Sequence, residues 1–176
     1  MDKNILRKEI IEKRKILARN NELTQISKKI CENIIKSREF IEAEHIALYY
    51  PLKYEVDLRE LLKVKNKTFY LPRVKGDELE FAKYSTTLKE GCFKVLEPTG
   101  SAIDPYILDI IYVPALCCSE KCYRLGYGKG YYDRFFNKNK ISAKKIIVIP
   151  ECFVDNRFIE DKFDYKLDKF ICESLK

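Results

Sequence analysis

Four short apolar runs, IALYYP, KTFYLP, DIIYVPAL and KKIIVIP, are spaced along the chain, each ending at or carrying a proline. Runs this short, rich in β-branched and aromatic residues and punctuated by a residue without an N–H, read as buried strands. ELEFAKYS, bounded by charge, reads as a fifth. The segments between them carry helical spacing. Leu6, Ile10 and Leu17, helped by Ile5, Ile11 and Ile16, predict an amphipathic helix over about residues 4–19. Ile26, Ile30 and Ile34 predict a second, capped by Thr24 and ending near SREF. Asp57 with Glu60 resembles a capping box opening a short third helix at LRELLKV. His45, just ahead of IALYY, is read as a partly buried edge residue. Strands interspersed with helices predict an α/β fold: a single-domain sandwich, residues 1–176, with a mixed, largely parallel central sheet flanked by helices.

Composition narrows the function classes. With 46% hydrophobic and 35% charged residues the chain is too apolar for disorder. No run approaches the roughly 18 apolar residues of a membrane span. The charged N-terminal MDKNILRKEIIEKRK lacks the apolar core of a secretory signal, so a cytoplasmic location and no membrane partner are expected. Seven cysteines, an odd number without export features, predict reduced thiols. CCSEKC offers Cys118 and Cys122 to zinc, but a structural site needs a second ligand pair and His45 is the only histidine. A Cys–His nucleophilic pair is open in space but has no local support in the sequence. The net charge of +7 is compatible with anionic partners, yet lysines are sprinkled among glutamates along the whole chain, as on a solvated surface.

RLGYGKGYYDRFF, Arg124 to Phe136, packs three glycines, three tyrosines and four charged side chains into thirteen positions. It follows the DIIYVPAL strand and opens a helix at GYYDRFFNK. A strand-to-helix loop presents backbone N–H groups and a positive dipole end, a ready site for phosphate. Gly126, Gly128 and Gly130 would allow close approach, Arg124 and Lys129 supply charge, and Asp133 offers a hard oxygen to magnesium. The alternative is a glycine-rich turn whose tyrosines pack on the sheet. Standard glycine motifs do not fit: a dinucleotide fingerprint needs glycine where Tyr131 stands, and a Walker loop needs Ser or Thr where Gly130 stands.

RLGYGKGYYDR resembles the signature of the 5-formyltetrahydrofolate cyclo-ligase family. KNILR, ALYYPLKYEVD, YLPRV, ELEFAKY, DIIYVPAL and FDYKLDKFICES resemble the family's other segments in the same order, so the resemblance covers nearly the whole chain. It implies an ATP- and Mg2+-dependent cyclisation of 5-formyltetrahydrofolate, a reduced folate, to 5,10-methenyltetrahydrofolate, with ADP and phosphate released. The route it implies passes through a phosphorylated formyl group and needs no enzyme nucleophile. By resemblance, Lys3, Arg7 and the run Arg124, Leu125, Gly126, Tyr127, Gly128, Lys129, Gly130, Tyr131 and Tyr132 bind ATP. Lys129 and Arg124 serve catalysis, and Asp133 and Asp164 hold the metal. Tyr50 and Glu55, with Tyr127, Gly128, Lys129, Gly130 and Tyr131, contact the folate, and Arg73 assists with anionic groups.

The chain departs from the family pattern at Cys118, Ser119 and Cys122 before the loop, at Tyr50, near Asp155 and at Cys172. Two other readings remain open. One is a different ATP-using enzyme on the same fold; the other is an RNA-binding module in which Tyr127, Tyr131 and Tyr132 stack on bases. No RNA-module signature is present, so nucleic acid is not an expected partner, and nothing points to an obligate protein partner.

Overall fold

In the computed structural model, which describes residues 1–174, the chain begins with three helices: α1 (Lys3–Arg19), α2 (Glu22–Lys36) and α3 (Arg38–Glu42). Asp2 caps α1 by accepting from the Asn4 and Ile5 N–H groups at 2.8 and 3.1 Å. Then come β1 (His45–Ala47), β2 (Thr68–Lys75), β3 (Glu78–Lys83), β4 (Leu88–Glu90), β5 (Leu96–Pro98), β6 (Ile110–Pro114), β7 (Cys117–Cys118) and β8 (Arg124–Leu125). Helix α4 (Tyr131–Lys138), β9 (Lys144–Val148) and β10 (Lys169–Ile171) complete the order.

The central sheet runs β10-β9-β6-β1-β2-β3. All its pairings are parallel except β2 with β3, which a two-residue turn at Gly76 and Asp77 joins as a hairpin. Gly76 takes φ 61, the positive value such turns require. The expected mixed, largely parallel α/β sheet is therefore observed. Because strand side chains alternate, each parallel strand feeds two cores. Ile111, Val113 and Ile147 pack with Leu6 and Ile10 of α1 and Phe135 and Phe136 of α4. Ile110, Tyr112, Ile146 and Val148 pack on the other face with Ile30 and Ile34 of α2 and Phe40 of α3.

Several local expectations are corrected. Thr24 is not a cap: α2 starts at Glu22, preceded by Asn21 in the left-handed region with φ 60. Ile5 and Ile16 face solvent, and the buried stripe of α1 is Leu6, Ile10 and Arg14. Asp57 forms no capping box. Its N–H donates to Ser27 Oγ at 3.0 Å and its carboxylate folds onto Arg59, so residues 59–63 make one 3-10 turn in place of an α-helix. His45 begins a central strand, not an edge, and its Nδ1 lies 2.9 Å from the Tyr70 hydroxyl. Pro72 interrupts no ladder. Strand β2 pairs with β1 only through Tyr70, so the missing N–H of Pro72 falls where that neighbour has ended.

The sheet places the site. From β1 the chain adds β2 and β3 on one side, and β6, β9 and β10 on the other, so strand order reverses between β1 and β6. In open α/β sheets ligands bind outside the carboxyl ends of strands at such a reversal. A cleft of about 1310 Å³ lies there, lined by Tyr49 and Tyr50 after β1, Pro114 at the end of β6, and the glycine segment.

Candidate active site

Its floor is the loop between β8 and α4. Gly128 has φ 93 and Gly130 φ 67, conformations that L-residues with side chains avoid. Gly130 stands at the start of α4, so the helix N-terminus opens into the cleft. Arg134 of α4 donates to the Lys129 carbonyl at 2.7 Å and to the Asp77 carbonyl at 3.0 Å, tying the loop to the β2–β3 turn.

Helix α1 supplies a second wall. Lys3 and Arg7 lie one turn apart, hence on one face. Arg7 Nε donates to the Gly126 carbonyl at 2.9 Å, and a side chain on Gly128 would sit 3.4 Å from the Arg7 guanidinium carbon. Lys3 Nζ lies 2.9 Å from Asp161 Oδ2 and 2.5 Å from Asp164 Oδ2. Partial burial acts to lower the Lys3 pKa, but the hydrogen bonds to Asp164 and Asp161 outweigh it and raise it, so the ammonium stays charged. Helix α1 is thus tied to two distant segments that line the cleft, the glycine loop through Arg7 and residues 161–164 through Lys3.

Arg124 and Asp133 form a pair 2.9 Å apart, with only 6% and 20% of their side chains exposed. The guanidinium lies 5.1 Å from the Tyr132 ring centroid, and Asp133 Oδ1 accepts from the Tyr165 N–H at 3.2 Å. Arg124 Nε and the Tyr132 hydroxyl are buried with no hydrogen-bond partner. Tyr132 is therefore a platform beneath Arg124, and Leu125, 2% exposed, offers only main chain. Tyr131 is half-buried with Arg134 beside its ring, and Tyr127, Gly128 and Lys129 are exposed in the cleft.

Across the cleft, Glu55 is buried at 7% exposure and its Oε2 accepts from the Leu52 N–H at 2.8 Å. Burial raises its carboxyl pKa, while that hydrogen bond and the Arg14 charge oppose the rise. Tyr50 is half-buried on the same side, within 3.4 Å of Arg59. Arg73 lines the cleft but is committed: it pairs with Glu80 at 2.6 Å and donates to the Gly100 carbonyl at 2.6 Å, bracing the β4–β5 hairpin.

Cys117 and Cys118 are buried and do not line the cleft. Burial pushes the Cys117 thiol up to about 12 and the Cys118 thiol higher still. Among the described residues no three His, Cys, Asp or Glu side chains cluster to hold a metal. Asp161 and Arg134 were missed by the sequence reading, although Arg134 closes the quoted RLGYGKGYYDR and Asp161 lies just ahead of FDYKLDKFICES. Arg14 was also missed, hidden between Lys13 and Lys15.

The model of the 5-formyltetrahydrofolate cyclo-ligase family matches residues 1–171. The chain belongs to that family. Among curated relatives, the 5-formyltetrahydrofolate cyclo-ligase of Mycoplasma pneumoniae is 31% identical, covering 97% of this chain and 98% of the relative. That of Mycoplasma genitalium is 28% identical, covering 98% of each. The solved structure of Aquifex aeolicus 5,10-methenyltetrahydrofolate synthetase superposes with a TM-score of 0.87 at 34% identity, covering 99% of this chain and 91% of that one. The Mycoplasma pneumoniae synthetase superposes with 0.81 at 29% identity, covering 99% and 100%. The family is one of folate-processing ligases, and the chain is an enzyme of that class.

Proposed function

We propose that the cleft binds 5-formyltetrahydrofolate and ATP together and closes the folate's five-membered ring to give 5,10-methenyltetrahydrofolate, ADP and phosphate. The observation that carries this reading is the glycine loop at the carboxyl end of the sheet, where Arg7 donates to the Gly126 carbonyl, Arg124 packs beside Gly126, and Lys3 lines the same cleft. Exposed backbone, a helix N-terminus and several fixed cations suit a polyphosphate. The volume, about 1310 Å³, exceeds the roughly 300–1,000 Å³ of a site for one small molecule. It has room for two co-substrates side by side.

A formyl amide is a weak electrophile and its oxygen a poor leaving group. In the proposed route the formyl oxygen attacks the γ-phosphorus and the bridging oxygen leaves on ADP. N10 then attacks the activated carbon, its proton passes to solvent, and the C–O bond breaks with its electron pair leaving on phosphate. The chain's own task is alignment and charge compensation, which suffices for phosphoryl transfer. Lys129, at the loop's exposed apex, and Arg124, held by Asp133 and Tyr132, face the phosphoryl group. Lys3 and Arg7 hold the nucleotide phosphates. Glu55 accepts from the pterin's amino and ring N–H groups, and Tyr50 walls the ring.

Asp133 and Asp164 fit magnesium as a donor set. Both are hard carboxylates beside the loop, and Mg2+ is usually held by one or two carboxylates plus phosphates. The ion would neutralise phosphate charge. Each carboxylate now pairs with a cation, Arg124 or Lys3, and would exchange part of that pairing. The test is turnover of 5-formyltetrahydrofolate followed by ADP release. One ADP per methenyl product supports the reading; product without ADP, or ATP hydrolysis without product, contradicts it.

A further inference from the structure

Arg14 is 1% exposed, an unusual place for a guanidinium. Its Nη1 donates to the Tyr54 carbonyl at 2.8 Å, and its Nη2 to the Ala115 and Leu116 carbonyls at 2.6 and 2.9 Å. The first partner immediately precedes Glu55; the other two follow β6 on the way to the glycine loop. Its guanidinium lies 4.8 Å from the Phe153 ring centroid. Three carbonyls and an aromatic face neutralise no charge, so the guanidinium retains an unspent positive field inside the protein, and its Nε is buried without a partner.

We propose that Arg14 is the positioning residue for Glu55: it locks the 50–55 turn to the end of β6 and supplies the positive charge that faces the Glu55 carboxylate. The proposal rests on the reading of Glu55 as a folate contact. The groups that share this field are Tyr49 from the strand exit, Glu55 and Tyr127 around the cleft, and Cys152 beyond β9, while Tyr132 on α4 faces Glu55 and Arg124. The hydroxyls and the thiol are neutral near pH 7. At Glu55 Arg14 is thus the positive charge that, beside the Leu52 hydrogen bond, opposes the effect of burial.

The experiment compares Arg14→Met, Arg14→Lys, Glu55→Gln and the double variant Arg14→Met/Glu55→Gln. Arg14→Met is expected to raise the folate KM by roughly tenfold, as loss of one buried charge-assisted contact does. It should move the acid limb of folate kcat/KM upward in pH while leaving the ATP KM within about twofold. Arg14→Lys keeps the charge, so it should keep the acid limb in place while the folate KM rises. In the Glu55→Gln background Arg14→Met should add little to the folate KM, since the two act as one unit. If Arg14→Met does not fold, Arg14→Lys carries the test through the same split. Equal effects on ATP and folate KM, an unmoved acid limb in Arg14→Met, a displaced one in Arg14→Lys, or additive effects with Glu55→Gln would each overturn the proposal. Glu55→Gln without effect on the folate KM would remove the folate reading and the proposal together; that effect present with Arg14→Met silent would remove Arg14 alone.

Discussion

Replacing Gly128 by alanine isolates what the loop backbone contributes. At φ 93 an L-residue meets its own carbonyl, at a cost of about 1–2 kcal/mol. The new methyl would lie 3.4 Å from the Arg7 guanidinium carbon, an ordinary contact that adds little. The cost is thus conformational, and two other glycines calibrate it. Gly76 has φ 61 with nothing within 4 Å of a built methyl, so Gly76→Ala measures the positive-φ penalty alone. Gly100 has open space and an unrestricted φ, so Gly100→Ala should fall within about 0.5 kcal/mol of wild type. By urea denaturation Gly128→Ala should lose about 1–2 kcal/mol, which for a chain of this size lowers Tm by roughly 2–8 °C. If the loop relieves this strain by moving, the Arg7 hydrogen bond to Gly126 moves with it and the ATP KM rises; Gly76→Ala, of similar instability, should leave that KM alone. A Gly128→Ala variant as stable as Gly100→Ala, with unchanged ATP KM, would refute the claim that the loop's left-handed backbone builds the site.

Lys129→Ala should abolish most turnover with the fold intact by circular dichroism; a wild-type kcat would take Lys129 out of the mechanism. Asp133→Asn removes the carboxylate charge beside a guanidinium that is barely exposed. It should cost about 1–3 kcal/mol in denaturant and also lower the affinity for magnesium in turnover assays, and a variant changed in neither respect would contradict both roles. Glu55→Gln has a pH signature in stability. Because burial raises the folded carboxyl above its ordinary value of 4.5, its favourable contribution is complete below that pH and is lost as pH rises through the folded value. The variant should therefore match wild type near pH 4 and be the more stable protein near pH 7.5 in denaturant titrations; the reverse order would show that Glu55 is better satisfied than its burial implies.

Strands with sustained apolar runs were legible, because β-branched residues buried on both faces need no alternation. The short β4–β5 and β7–β8 pairs were not, since two or three residues carry no period. The glycine loop and the helix after it were read correctly from strand, glycines and aromatic run, and α4 does begin at Tyr131. What sequence reasoning could not see was how the charges are shared. Asp133 and Asp164 read as bare metal ligands, whereas the fold pairs them with Arg124 and Lys3. Arg14 went unread because its burial is set by what α1 packs on, and that surface includes residues 54 and 115–116. Tyr132, expected as a nucleotide contact, lines the cleft with its ring under Arg124, a pairing that spacing along the sequence does not show.

The central claim is that the cleft couples ATP cleavage to ring closure. The most direct measurement is the near-ultraviolet absorbance of the conjugated methenyl product in a mixture of purified protein, 5-formyltetrahydrofolate, magnesium and ATP, with matched controls lacking ATP or carrying Lys129→Ala. The account predicts a rise with the complete mixture and none in either control. A rise that persists without ATP, or folded protein that binds ATP and yields no methenyl product, would contradict it.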